Sequence, residues 1–219
     1  MKIVVLAGGT STERDVSLSS GSKIYRALKN RGHQAILLDV YLGYESEPPV
    51  TEQLFELDVD WAKDIQAVSA EHPDLSHLKD LRRDGGKSMF GPNVLALCNM
   101  ADIVFLGLHG ANGEDGRIQA AFDLMGIPYT GTGYLSSALA MDKHITKQFF
   151  RNAGIPTPAG ITLKCGEKAD PSSVPYPCMV KTACGGSSVG TYRADDPRDL
   201  QKALDDAYTF GDDVIVEQY

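Results

Sequence analysis

The stretch KIVVLAGGTSTERDVSLSS at residues 2–20 decides the fold of the N-terminal half of the chain. Ile3 to Leu6 is a β-branched apolar run that Gly8 and Gly9 terminate, which predicts a buried parallel strand. Residues 16–30 follow with apolar positions spaced among polar ones, which predicts a helix, and Gly32 is a typical C-terminal stop. A second apolar run at residues 35–40 completes a strand–helix–strand unit, and this unit indicates a parallel sheet.

The same alternation returns further along the N-terminal half. We predict a helix over 94–100, a strand over 102–108, a helix over 117–125 and a short strand over 127–130. Residues 42–92 have no clear pattern; we predict one helix over 60–70 and otherwise expect a surface insertion without an assigned function. The expected fold class up to about residue 132 is therefore α/β with a doubly wound parallel sheet.

The pattern changes after residue 132. A long helix is predicted over 135–152, before Gly154 and Pro156. Short strands over 159–163, 178–181, 189–192 and 214–218, with a helix over 200–208, predict a small α+β domain with an antiparallel sheet. Because the chain stops at an apolar strand, we expect more protein to follow.

Composition excludes several classes of function. The 219 residues carry a net charge of −8 and lack a Lys/Arg run, which argues against nucleic-acid binding. No apolar stretch approaches the ~20 residues that cross a membrane. The four cysteines form no C-x-x-C pair, so we expect reduced thiols in a cytosolic protein, with no zinc site and no disulfide framework.

Three polar loops follow predicted strands, where ligands collect in open parallel sheets. The first loop, residues 8–17, offers Glu13 as a carboxylate for an ammonium group, whereas Asp15 and Ser17 are adequately explained as helix caps. The histidine loop, residues 109–116, is either a carboxylate or phosphate cradle with His109 as donor, or a structural histidine before a capped helix.

The lysine loop, residues 181–190, is the third. Lys181 ends a strand and a Gly/Ser loop follows, an arrangement that can enclose phosphates. A β-hairpin rich in turn residues is the alternative. The first and third loops lack the spacings of the dinucleotide-binding and Walker motifs.

Five motifs together resemble D-alanine–D-alanine ligases of the ATP-grasp superfamily; they lie at residues 8–17, 109–116, 129–131, 138–143 and 186–190. The resemblance implies an N-terminal domain over 1–132 that binds the first D-alanine. It implies a central ATP-grasp subdomain over 133–219 with the phosphate-binding loop, and the absence of the C-terminal ATP-grasp domain. That domain would supply the Mg²⁺ ligands and the second-substrate pocket.

The resemblance also implies individual roles. Glu13 matches the residue that binds the D-alanine amino group, His109 lies near its carboxylate, and Ser187 links to Glu13, so Glu13 and Ser187 are the expected catalytic residues. The residues expected to bind ATP are Lys143, Lys181, Gly186, Ser187, Ser188, Glu217, Gln218 and Tyr219. The run Thr182 to Gly185 departs from relatives that carry proline and charged residues there.

The implied reaction joins two D-alanines for peptidoglycan precursors through an acyl phosphate, with ATP and Mg²⁺, in a cytoplasmic homodimer. The alternatives are a D-alanine–D-lactate or D-alanine–D-serine ligase, because the first-substrate motifs do not separate these enzymes. A further alternative is a non-catalytic nucleotide-binding fragment.

Overall fold

The computed structural model describes residues 1–45, 50–65, 75–186 and 188–219. The chain forms two compact units, unit 1 over residues 1–136 and unit 2 over residues 137–219. The predicted site residue Ser187 lies outside the described residues. Within the described ranges, no helix is long and apolar enough to cross a membrane.

Unit 1 contains a three-stranded parallel sheet with helices on both faces. Its elements are β1 (Lys2–Ala7), α1 (Arg14–Asn30), β2 (Gln34–Asp39), α2 (Val94–Met100), β3 (Ile103–Leu106) and α3 (Arg117–Met125). The strand order is β2-β1-β3, so the first strand lies in the centre. The carboxyl ends of all three strands therefore lie at one edge of the sheet.

Alternate side chains of β1 are buried in two different hydrophobic clusters. Val4 and Leu6 pack with residues of α2 and α3, whereas Val5 packs with Tyr25 of α1. Since successive strand residues point to opposite faces, α1 covers one face and α2 and α3 cover the other. At Gly21 of α1 a Cβ would lie 2.7 Å from the Ala7 Cβ, so the helix needs glycine to pack closely there. The predicted doubly wound α/β arrangement is confirmed.

Unit 2 contains a four-stranded antiparallel sheet of order β4-β7-β5-β6. Helix α4 (Tyr134–Met141) extends into this unit, and its other elements are α5 (Lys143–Asn152), β4 (Gly160–Leu163), β5 (Cys178–Thr182), β6 (Thr191–Ala194), α6 (Pro197–Tyr208) and β7 (Val214–Gln218). Leu200 and Leu204 of α6 pack on Val180 and Val216. The Asp196 carboxylate caps α6 by accepting hydrogen bonds from two backbone N–H groups of its first turn. The predicted α+β character of this half is confirmed.

Three local predictions are wrong. The helix expected over 135–152 is interrupted at Asp142, whose extended backbone caps α5 by accepting a hydrogen bond from the Ile145 N–H at 3.0 Å. The strand expected over 127–130 reduces to one bridge between Val104 and Tyr129. The described part of the helix expected over 60–70 is a turn, and residues 66–70 lie outside the described residues.

The segment over 42–92 is also more than a surface insertion. It contains a short 3₁₀ helix, Glu52–Glu56, whose Leu54 and Phe55 are buried in the core beside β1 and β2. Further along, the buried Arg82 guanidinium pairs with Asp84 and donates to the Ser88 and Phe90 carbonyls. Leu54 and Phe55 thus pack the segment on the sheet, whereas the hydrogen bonds of Arg82 are internal to the segment.

Candidate functional site

The first loop is fixed at the carboxyl ends of β1 and β2. Arg14 is buried, donates a hydrogen bond to the Gly9 carbonyl at 2.7 Å and pairs with Asp39. Gly8 has a φ of +75°, and a Cβ there would lie 2.3 Å from a carboxylate oxygen of Asp39. Glycine is therefore required at this position on both conformational and steric grounds.

Ser17 joins the first loop to the end of β3. Its hydroxyl accepts a hydrogen bond from the Gly8 N–H at 2.9 Å and donates one to the Gly107 carbonyl at 2.7 Å. The side chain is completely buried within α1. The expectation that Ser17 caps the helix is therefore wrong, because its hydroxyl bonds backbone groups that follow β1 and β3 and no N–H group of the first turn of α1.

Glu13 lies against the start of the histidine loop. Ser11 connects the two segments, since its hydroxyl donates to the His109 carbonyl at 2.7 Å and accepts from the Glu13 N–H at 3.2 Å. A Cβ on Gly110 would lie 2.9 Å from the Glu13 Oε2. Within the described ranges, the Glu13 carboxylate has no hydrogen-bond or ion-pair partner. The half-buried carboxylate is thus available to bind a cation.

His109 stands at the same edge of the sheet. Its Nε2 lies 3.3 Å from the Ser20 hydroxyl, and its Nδ1 lies 3.8 Å from the Glu114 Oε1. The other oxygen of Glu114 accepts a hydrogen bond from the Gly110 N–H at 2.8 Å, so Glu114 closes the loop rather than capping α3. One third of the His109 side chain remains exposed, and its ring can reach a ligand from there.

Lys143 forms hydrogen bonds with the backbone of the lysine loop in unit 2. The Lys143 Nζ donates to the Thr182 carbonyl at 3.2 Å and to the Gly185 carbonyl at 2.6 Å, while its backbone N–H donates to the Ala183 carbonyl. Burial lowers the pKa of the Lys143 ammonium, and the electrostatic interaction with Cys184 partly offsets this decrease. These bonds explain the break before α5, because they hold the first residue of that helix against the loop.

Glu217 of β7 holds two lysines. Its Oε1 lies 2.6 Å from the Lys181 Nζ, and its Oε2 lies 2.5 Å from the Lys147 Nζ. Burial acts to raise the pKa of the Glu217 carboxyl, but hydrogen bonds from both lysines outweigh it and lower the pKa. Lys147 was not among the predicted site residues. Its position one turn after Lys143 on the same helix was the available signal.

The remaining predicted nucleotide residues are more dispersed. Gly186 and Ser188 lie in the lysine loop, and the Ser188 carbonyl accepts a hydrogen bond from the Thr191 N–H. Gln218 is exposed on its strand, and the Arg193 guanidinium lies 4.6 Å from the centre of the Tyr219 ring. The roles of these residues, like that of Ser187, stay predictions.

Both sites suit small charged molecules. Unit 1 presents the Glu13 carboxylate, unpaired among the described residues, beside the histidine loop. Unit 2 presents lysines at the base of a glycine-rich loop. In the part of the chain that is described, no cluster of three or more His, Cys, Asp or Glu side chains could hold a metal ion. The fold and the two groups of residues thus define an α/β protein with a candidate site for a small charged ligand in each unit.

Family models narrow this class. The model for the D-ala D-ala ligase N-terminus matches residues 2–132, and the model for the C-terminus of the same ligases matches residues 149–219. The chain therefore belongs to the D-alanine–D-alanine ligase family.

Individual relatives agree with this assignment. D-alanine–D-alanine ligases of Lacticaseibacillus casei and Pediococcus pentosaceus are 44% and 43% identical over the whole chain, which covers 61% and 62% of their lengths. The crystal structure of the Bacillus anthracis ligase superposes with a TM-score of 0.67 at 28% identity, and 57% of that chain is covered. A second structure of that enzyme, complexed with ATP, gives 0.68 at 25% identity and 58% coverage. The chain thus spans about 60% of the length of these relatives.

Proposed function

We propose that this chain forms the first-substrate and nucleotide-binding parts of an enzyme that joins two D-alanines with ATP. The observation that carries the proposal is the Glu13 carboxylate, which lies beside the histidine loop and has no partner among the residues that the structure describes. In this role the enzyme makes a peptidoglycan precursor in the cytoplasm as a homodimer. The family membership and the ATP complex of a relative support the nucleotide.

Unit 1 binds the first D-alanine in this proposal. Its ammonium group pairs with Glu13, a charge-assisted contact that is stronger than a neutral hydrogen bond. The His109 ring donates to the substrate carboxylate from the neighbouring loop. Because the Ser11 hydroxyl bonds the backbones of both residues, at 2.7 and 3.2 Å, the two segments that carry these side chains are joined before substrate arrives.

Unit 2 binds the ATP phosphates. Lys143 and Lys181 offset their negative charge, and backbone N–H groups of Gly186, Ser187 and Ser188 enclose the γ-phosphate. The segment from Glu217 to Tyr219 lines the adenine pocket.

The reaction then takes two steps. A carboxylate oxygen of the first D-alanine attacks the γ-phosphorus, so that ADP leaves and an acyl phosphate forms. The deprotonated amine of the second D-alanine attacks the acyl carbon, and phosphate leaves as the peptide bond forms. Mg²⁺ is expected from the family, but the described residues do not form a site for it, so these steps assign it no role.

The direct test is ADP release by the full-length gene product with ATP and D-alanine, together with mass spectrometry of the product. We expect ADP and D-alanyl-D-alanine to form in equal amounts, and L-alanine not to replace D-alanine. Parallel reactions with D-alanine plus D-lactate or D-serine distinguish the related ligases. If ADP release does not depend on D-alanine, the substrate assignment is wrong.

A further inference from the structure

The pairing of Glu217 with two lysines creates a conflict for the proposed nucleotide site. Lys181 is expected to bind phosphate, yet its ammonium group already lies 2.6 Å from the Glu217 Oε1. When Lys181 turns toward a phosphate, that oxygen loses its partner. An unpaired carboxylate in a buried position is strongly unfavourable, so an arrangement with Lys181 alone would oppose ATP binding.

Lys147 is placed to resolve this conflict. Its ammonium group contacts the second oxygen of Glu217 and also donates to the Thr157 hydroxyl at 3.1 Å. The side chain is only 10% exposed, compared with 29% for Lys181. Lys147 is therefore held inside the unit, whereas Lys181 is accessible to a ligand.

The backbone around Glu217 also supports a fixed carboxylate. A Cβ on Gly160 of β4 would lie 2.8 Å from both the Cα and the Cβ of Glu217, so the two strands approach each other closely there. This close approach positions the backbone at Glu217, and the two lysines hold its carboxylate. Its two oxygens are thus directed separately at α5 and at β5.

We propose that Lys147 is a positioning residue that keeps Glu217 paired while Lys181 leaves it for a phosphate of ATP. When ATP binds, a phosphate takes the place of the Glu217 carboxylate as the partner of Lys181, and Glu217 remains paired with Lys147. The inference rests on the proposed nucleotide site, because it assigns Lys181 to ATP.

The test measures ATP binding and steady-state kinetics of the full-length gene product. In K147M, Lys181 becomes the single partner of Glu217, so we expect the Kd and KM for ATP to rise by about tenfold, a coupling of ordinary size between linked groups. The kcat at saturating ATP should change little, because the lost interaction is equal in the ground and transition states. K147R retains the charge and should stay close to wild type.

The matched control is K164M. Lys164 pairs with Asp213 at 2.7 Å but is 81% exposed, so the same loss of a lysine–carboxylate pair should leave ATP binding unchanged. Because Glu217 also belongs to the segment proposed to line the adenine pocket, K147M/E217Q is compared with E217Q, in which any change at that pocket is the same. With the carboxylate absent, the Lys147 substitution should weaken ATP binding much less than it does in wild type. A merely structural role of Lys147 predicts the same loss in both backgrounds.

The outcomes separate the inference from the proposed function. If the wild-type protein does not bind ATP, the proposed function fails. If wild type binds ATP but K147M binds it equally well, or if the Lys147 substitution weakens ATP binding as much in the E217Q background as in wild type, the role of Lys147 is refuted. Should K147M fail to fold, K147Q provides the same comparison, because its neutral side chain also leaves Glu217 paired with Lys181 alone, and the Kd for ATP should rise in the same direction.

Discussion

Ser17→Ala should destabilise unit 1 far more than its small chemical change suggests. The substitution leaves the Gly8 N–H and the Gly107 carbonyl without the hydroxyl that bonds both of them inside the protein. Each unpaired buried group costs about 1–3 kcal/mol, and the better helix propensity of alanine returns about 0.5 kcal/mol. For the two groups together we therefore expect the free energy of unfolding to fall by about 1.5–5.5 kcal/mol.

Urea unfolding of the 219-residue chain can report on unit 1 alone. Trp61 is the single tryptophan and packs 5.5 Å from Tyr44 within this unit, so its fluorescence follows the unit that contains Ser17. Ser22→Ala is the matched control. Ser22 is in the same helix and is also buried, but its hydroxyl donates only to the nearby Ser19 carbonyl.

The comparison between the two serines decides the result. Ser22→Ala removes a local bond within a helix and should change stability by no more than about 0.5 kcal/mol. If Ser17→Ala costs less than about 1 kcal/mol beyond this control, the hydroxyl does not hold the two loops together in the way its bonds imply.

Three further predictions concern ionisable groups. Glu13→Gln should raise the KM for D-alanine by about 10- to 100-fold through loss of a charge-assisted bond, which initial-rate measurements can check; an unchanged KM would exclude Glu13 as the ammonium ligand. Burial and the neighbouring Asp212 raise the pKa of the Cys184 thiol to about 11. Although Cys184 is exposed, its alkylation by iodoacetamide at pH 8 should therefore be much slower than that of N-acetylcysteine and should accelerate up to pH 11. The lowered pKa of Glu217 adds stability above its ordinary value of 4.5, and this stability disappears as pH falls through the folded-state pKa. Thermal melting of unit 2 between pH 3 and 6 should accordingly be less pH-dependent in E217Q than in wild type.

The architecture of unit 1 could be predicted because its signals are local. The apolar run at Ile3 to Leu6 and the glycines after it specify a buried strand and a turn without reference to the rest of the chain. The membership in the ligase family was also predicted correctly from five short motifs. Local signals do not reveal depth of burial, so Leu54 and Phe55 looked like part of a surface insertion although they are core residues.

The break at Asp142 shows where a local signal misleads. The residues on both sides favour a helix, and an aspartate within such a run is tolerated. The interruption depends instead on the bond from the Lys143 N–H to the Ala183 carbonyl, forty residues further along the chain. The local signal is Asp142 itself, a favoured N-cap residue, but the contact with Ala183 that separates the two helices lies outside the local sequence.

The charge balance around Glu217 supports the proposed anion site in unit 2, because the two lysines and one carboxylate do not neutralise each other. Two lysines face a single buried carboxylate, which leaves one surplus positive charge in a protein whose net charge is −8. A buried ion pair contributes little to stability by itself, and an uncompensated charge beside it opposes folding. A ligand with negative charge would remove that penalty, since it neutralises the surplus on binding. The sequence identified Lys181 and Glu217 separately. Their pairing, and the contribution of Lys147, become visible only in the packing of β5, β7 and α5. The surplus positive charge of this group is the physical reason for proposing a phosphate site beside Lys181.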